Sequence, residues 1–118
     1  MSILSQNRIF LVGRANGVRV DRVGDTSVAR FTVSTERAYQ SADGSAVVER
    51  TPMPVTAFDG PDTADAARLK DGDSVYVVGR IRVFSFESAT GETRSGFEVH
   101  ASGVRIYDGI AVLPEGIG

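Results

Sequence analysis

The 118-residue chain has no cysteine, no tryptophan, a single lysine (Lys70) and a single histidine (His100). The lack of cysteine excludes a disulfide scaffold, a thiolate metal site and a thiol nucleophile. A lone histidine without cysteine partners cannot assemble a zinc-type site, so no metal is expected and His100 reads as a rim residue. No apolar run approaches the roughly 18 residues that span a bilayer. The opening "MSILSQNR" has no signal-peptide core. The expected location is therefore the cytoplasm, with no membrane partner. Phosphate-cradling glycine loops are also missing, and the serines have no base partner in a recognisable motif. Neither an enzyme nor a cofactor is expected.

Twelve of the thirteen basic residues are arginine. Arginine favours bidentate and stacking contacts over point charges, although a GC-rich genome would produce the same bias. The net charge of −2 speaks against a nucleic-acid partner, since such domains are often strongly basic. Its distribution weakens that objection. The stretch 59–73, "DGPDTADAARLKDGD", holds five aspartates against Arg68 and Lys70, and the rest of the chain carries +1. These aspartates read as caps and solubilising groups for a helix; Mg²⁺ ligation is the weaker alternative.

Hydrophobic periodicity orders the chain into one domain over 1–108 and a short flexible tail over 109–118. "NRIFLVGRANGVRVDRV" reads as a long first strand, bent or bulged near Gly13 and Gly17. A turn at 24–27 leads to a second strand with Ala29, Phe31 and Val33 on one side. Asp43-Gly44 is a hairpin signal. The third strand turns Val55 and Ala57 inward, and Pro52 and Pro54 confine its first half to an edge or a bulge. A short helix is expected over "PDTADAARLK", with Pro61 at its start, Gly72 past its end and Ala64, Ala67 and Leu69 on its apolar side. "DSVYVVGRIRVFSFE" and "GFEVHASGVRIY" then form a long hairpin. Three strands, one helix and two strands is the connectivity of an all-β OB-fold, a five-stranded Greek-key barrel with a helix between strands 3 and 4.

Register assigns the faces of the fourth strand. Val75, Val77, Ile81 and Val83 are expected inside, and Tyr76, Arg80, Arg82, Phe84 and Phe86 outside. On the third strand Arg50, Thr56 and Phe58 are expected outside. A solvated face does not need the rings, and a buried face does not want the guanidiniums. Non-specific single-strand binding needs both, cations for phosphates and flat rings for any base. Two other readings stay open: Phe84 and Phe86 packing against another subunit, and Arg80 and Arg82 pairing with Glu87 or Glu98 across the hairpin.

"NRIFLVGR", "VARFTVSTERAY", "VTAFDG" and "LKDGDSVYVVGRIRVFSFESATGETR" together resemble bacterial single-stranded DNA-binding proteins over residues 6–108. The resemblance implies an OB-fold that assembles as a homotetramer and wraps single strands without sequence preference, in replication, recombination or repair, alongside the nucleoid. It places stacking aromatics at Phe58 and Phe86, a basic strand position at Arg82, an early basic residue at Arg8, and a further stacking ring at Tyr39 if the following hairpin is one residue shorter here. With the exposed cations and rings, the expected DNA-contacting set is Arg8, Arg14, Tyr39, Arg50, Phe58, Arg80, Arg82, Phe84 and Phe86. The sequence departs from the family in its third strand, where "TPMPV" puts Pro52 at an aromatic position and Pro54 at a basic one. The family's acidic, partner-recruiting tip has no counterpart here, so recruitment of replication proteins through it is not expected. The rival readings are a primosomal-type OB adaptor, which would be a dimer with weak DNA contact, and an OB protein-interaction module.

Overall fold

Odd-numbered residues build the core. Leu11, Ala15, Ala29, Phe31, Val33, Val55, Ala57, Val75, Val77, Val99 and Ala101 are all buried and all odd, as expected of strands whose alternate side chains face one interior. The computed structural model describes residues 4–107, and the expected tail over 109–118 lies outside them. The strands are β1 (Ile9–Val23), β2 (Thr26–Gln40), β3 (Ala46–Phe58), β4 (Ser74–Glu87) and β5 (Thr93–Tyr107), with a 3-10 helix at Pro61–Arg68. They close a barrel in the order β1-β2-β3-β5-β4. This is the expected all-β, five-stranded OB architecture.

Parity breaks at two bulges. On β1 the ladder to β2 shifts between Asn16 and Arg19, so the residues packed on the core pass from Ala15 to Val18. Gly17 takes a positive φ of 63° there, and the Asp71 carboxylate accepts the displaced Val18 N–H at 2.9 Å. On β5 the ladder to β4 skips Ser102, and the buried residues pass from Ala101 to Val104. Each bulge adds one residue and flips every side chain beyond it. Gly79 lies beside the second bulge, where a Cβ would collide with the His100 carbonyl oxygen.

β1 is shared, pairing with β4 from Ile9 to Arg14 and with β2 from Arg14 to Val23. Closure comes from a short parallel contact between β3 and β5, Val55 with Val99 and Thr56 with His100. Pro52 and Pro54 sit in unbroken register with Ser34 and Thr32 of β2. Their equal parity points both ring nitrogens to the edge where β5 has no pairing partner, so the edge placement holds and no bulge is needed. The hairpin around Asp43-Gly44 forms as expected, with Gly44 at φ 88° and the Asp43 carboxylate accepting from the Ser41 and Ser45 hydroxyls.

Three expectations require correction. The expected short helix is a 3-10 helix, and with three residues per turn its buried stripe is Thr63, Ala66 and Leu69, whereas Ala64 and Ala67, expected on its apolar side, face solvent. Ile81 and Val83 do lie on the face continuous with the interior, yet they are 38% and 74% exposed. Beyond Gly79 the β4–β5 hairpin runs past the barrel, and nothing among the described residues forms an opposite wall. Thr56 is on the outer face yet buried, with its hydroxyl donating to Glu98 at 2.7 Å.

The acidic stretch serves backbone groups. Asp73 accepts from Lys70 N–H and Asp65 from Ile106 N–H, both at 2.9 Å. The Ile106 N–H, helped by the Arg68 guanidinium, holds the Asp65 carboxyl below the usual carboxylate range. Because that pKa is depressed in the folded state, the contribution is complete above about pH 4, the unfolded carboxyl's range, and is lost as pH falls through the folded value. Asp65→Ala should therefore destabilise the fold by about 1–3 kcal/mol at neutral pH. In urea titrations repeated down the pH scale, the gap to the wild-type protein should shrink below about pH 4.

Candidate nucleic-acid interface

The outer face of β4 carries Tyr76, Val78, Arg80, Arg82, Phe84 and Phe86 in sequence alternation. Its antiparallel register with β5 sets Arg80 against His100, Arg82 against Glu98, Phe84 against Gly96 and Phe86 against Arg94. The Phe84 and Phe86 rings are near-parallel, 27° between planes and 6.3 Å between centroids. Gly96 makes room for the first of them, since a Cβ there would come within 3.0 Å of the Phe84 ring. Phe86 is 51% exposed. Two rings and two guanidiniums thus share one surface, as the alternation predicts.

Barrel closure brings β3 onto the same face. Thr56 pairs with His100, and two residues on, the Phe58 ring lies 5.4 Å from the His100 imidazole. Phe58 remains 41% exposed. The Arg80 guanidinium has no acceptor atom, so its Nη2 donates to His100 Nδ1, at 3.4 Å. His100 is therefore part of this face rather than a rim residue. Only its metal-binding potential was weighed from the sequence, and its neighbours become visible once the β4–β5 register is known.

The cations differ in how much charge they leave free. Arg82 Nη1 reaches Glu98 Oε1 at 3.4 Å, and the other Glu98 oxygen accepts from Thr56. The expected cross-hairpin pairing is therefore present for Arg82, with Glu98 rather than Glu87. Arg50 is likewise paired, with Glu36 at 2.9 Å. Among the described residues Arg8, Arg14 and Arg80 stand in no ion pair, while Arg30, Arg50, Arg68, Arg82 and Arg94 each do. Arg8 lies across a depression of about 480 Å³ from Arg80, and its guanidinium covers the Phe10 ring at 5.2 Å. Phe10 in turn sits 6.3 Å from Tyr76. Phe10 was not singled out from the sequence, although its place between Ile9 and Leu11 already sends it outward.

Three expected members lie elsewhere. Arg14 and Arg50 line a separate depression with Glu36, on the outside of β1, β2 and β3. Arg14 there donates to the Gly72 carbonyl at 3.3 Å. Tyr39 pairs with Val47, on the odd-numbered face of the β2–β3 hairpin, opposite to Arg50. A ring one residue earlier, at Ala38, would have joined the Arg50 side. The single-residue difference reverses the face, and Tyr39 instead packs under the Arg37 guanidinium at 5.3 Å.

Comparison with known proteins follows this geometry closely. The family model described as "Single-strand binding protein family" matches residues 6–107. No curated protein matches the chain. Among solved structures, the chain is similar to the Plasmodium falciparum SSB in its complex with ssDNA, with a TM-score of 0.81 at 19% identity, covering 92% of this chain and 100% of that one. It is also similar to a deletion mutant of the single-stranded DNA-binding protein from Thermus aquaticus, with a TM-score of 0.72 at 18% identity, covering 88% of this chain and 51% of that one. At such identities the structural likeness speaks for the fold, and the family assignment rests on the model match across nearly all of the described residues. The chain belongs to the single-strand binding protein family.

Proposed function

We propose that this chain binds single-stranded DNA without sequence preference, stacking bases on Phe58, Phe84 and Phe86 and neutralising phosphates with the arginines beside them. The observation that carries the reading is the shared outer face of β4 and β3, where two guanidiniums and three rings lie side by side. Unstacked bases offer a π-face to each ring, at about 1–3 kcal/mol per stacked base, a value taken from single-strand binders that include this family. A duplex has already spent that stacking. The Plasmodium relative is seen with ssDNA, which supports the same partner here. Binding rather than turnover is the activity, in replication, recombination or repair. Among the described residues no helix is long and apolar enough to cross a membrane, and we place the protein in the cytoplasm with the nucleoid.

Self-association belongs to the same reading. Apolar side chains exposed away from the proposed DNA face, Ile81, Val83 and Phe97 among them, support packing between copies, as a tetramer with a dimer as the alternative. The primosomal-type adaptor is favoured by one feature, Pro52 standing at an aromatic position and Pro54 at a basic one along β3. It predicts a dimer in sedimentation and weak DNA contact.

Fluorescence anisotropy with a labelled oligo-dT of about 35 nucleotides tests the function. Salt-weakened binding that a duplex competitor cannot displace is expected; no binding at low salt would refute it. Phe86→Ala should weaken binding by about 1–3 kcal/mol with the oligomer intact by sedimentation, whereas dissociation at unchanged intrinsic affinity would favour subunit packing. Val83→Ser, on the opposite face, should leave affinity within twofold. Arg82→Ala should lower the salt slope by less than the roughly 0.7 expected for a free phosphate contact, because Glu98 already neutralises it.

A further inference from the structure

The outer face assigned above to the strand also carries a carboxylate. Glu98 stands opposite Arg82 in the β4–β5 ladder. Its Oε1 accepts from Arg82 Nη1 at 3.4 Å and its Oε2 from the Thr56 hydroxyl at 2.7 Å. Thr56 is buried and paired with His100 in the barrel closure, so Glu98 is held from beneath. Its side chain is 20% exposed, whereas that of Arg82 is 56% exposed. With Pro54, Thr56 and Phe84 it lines a depression of about 200 Å³ on this face. Phe58 follows Thr56 by two residues on the same side of β3. A strand stacked on Phe58 and Phe84 therefore passes over this carboxylate.

Barrel closure has no need of the charge. Thr56 requires only an acceptor oxygen, which a glutamine would supply equally. The other oxygen faces Arg82, and on a phosphate-binding surface a carboxylate in that position opposes binding.

We propose that Glu98 is a built-in competitor for phosphate at Arg82, limiting how strongly charge alone holds the strand. The proposal rests on the single-strand reading above. In the free protein the carboxylate engages one nitrogen of the guanidinium, and an arriving phosphate must share the remaining N–H groups. Thr56 keeps Glu98 from turning away, so the two anions face each other across one cation. When the phosphate withdraws, the carboxylate is already in place to pair with Arg82 again, which assists departure. Arg80 stands in no ion pair among the described residues and has no such competitor. Specificity is often built from a repulsive element beside the attractive ones. A polyanion without bases finds neither a use for the rings nor a free Arg82.

The test measures the salt slope of oligo-dT binding and the rate at which excess unlabelled oligo-dT displaces a labelled strand in stopped flow. Glu98→Gln keeps the acceptor for Thr56, so urea unfolding should be little changed. The same variant should steepen the slope by about 0.7, one extra single-strand phosphate contact. It should also slow displacement several-fold at low salt, with the difference fading as salt screens the charges. In an Arg82→Ala background, Glu98→Gln should alter neither quantity. Glu49→Gln removes the same charge from the opposite face of the β2–β3 hairpin and should also leave both unchanged. An unchanged slope and displacement rate in Glu98→Gln would overturn the proposal, as would a change of equal size without Arg82 or in Glu49→Gln. Absence of oligo-dT binding by the wild-type protein would instead overturn the single-strand reading, and the proposal with it.

Discussion

Barrel closure depends on two parallel residue pairs, Val55 with Val99 and Thr56 with His100, and the candidate face is registered to them. Val55 and Val99 seal the interior, each almost wholly buried. Thr56 and His100 point the other way. Because Thr56 is fixed opposite His100, its hydroxyl reaches Glu98, Glu98 reaches Arg82, and Phe58 arrives beside the imidazole. A slip of one residue here would exchange the inner and outer faces of β3 relative to β5. The same contact that completes the core therefore sets which rings and cations share a surface. Closing a barrel also leaves its long hairpins without walls. β4 and β5 run on beyond Gly79, which is why Ile81 and Val83 stand exposed on the face continuous with the interior.

Phe58 and Phe86 are exposed on the outer face of β3 and β4, whereas the outer side of the β2–β3 arm carries no ring among the described residues. Pro52 and Pro54 occupy the outer side of β3 there, and Arg50 is tied to Glu36. Arg8 and Arg80, both among the described arginines in no ion pair, flank the depression that His100 borders.

Much of this was legible from the residue pattern, because a period of two is a local property. The five strands and the outward set Arg80, Arg82, Phe84 and Phe86 follow from it, and the hairpin at Asp43-Gly44 follows from the turn residues themselves. What parity cannot tell is whether a side has a wall, and so Ile81 and Val83 were expected in a core that ends at Gly79. Parity is also lost at insertions. The bulge at Ser102 obscures which β5 side chains oppose β4. The Thr63, Ala66 and Leu69 stripe differs from an α-helical one by a fraction of a turn, too little for eight residues to decide. His100 was hidden for another reason: its significance comes from neighbours on two other strands.

The most direct measurement is photocrosslinking of an oligonucleotide carrying 5-bromodeoxyuridine, followed by identification of the modified residues by mass spectrometry. The account predicts adducts on Phe58, Phe84, Phe86 or His100, the rings of one face, and none on Tyr39 at the opposite side of the β2–β3 hairpin. Adducts confined to Tyr39 or to the Val83 and Phe97 side of the β4–β5 hairpin would contradict it, and would mean that the strand follows the face continuous with the barrel interior.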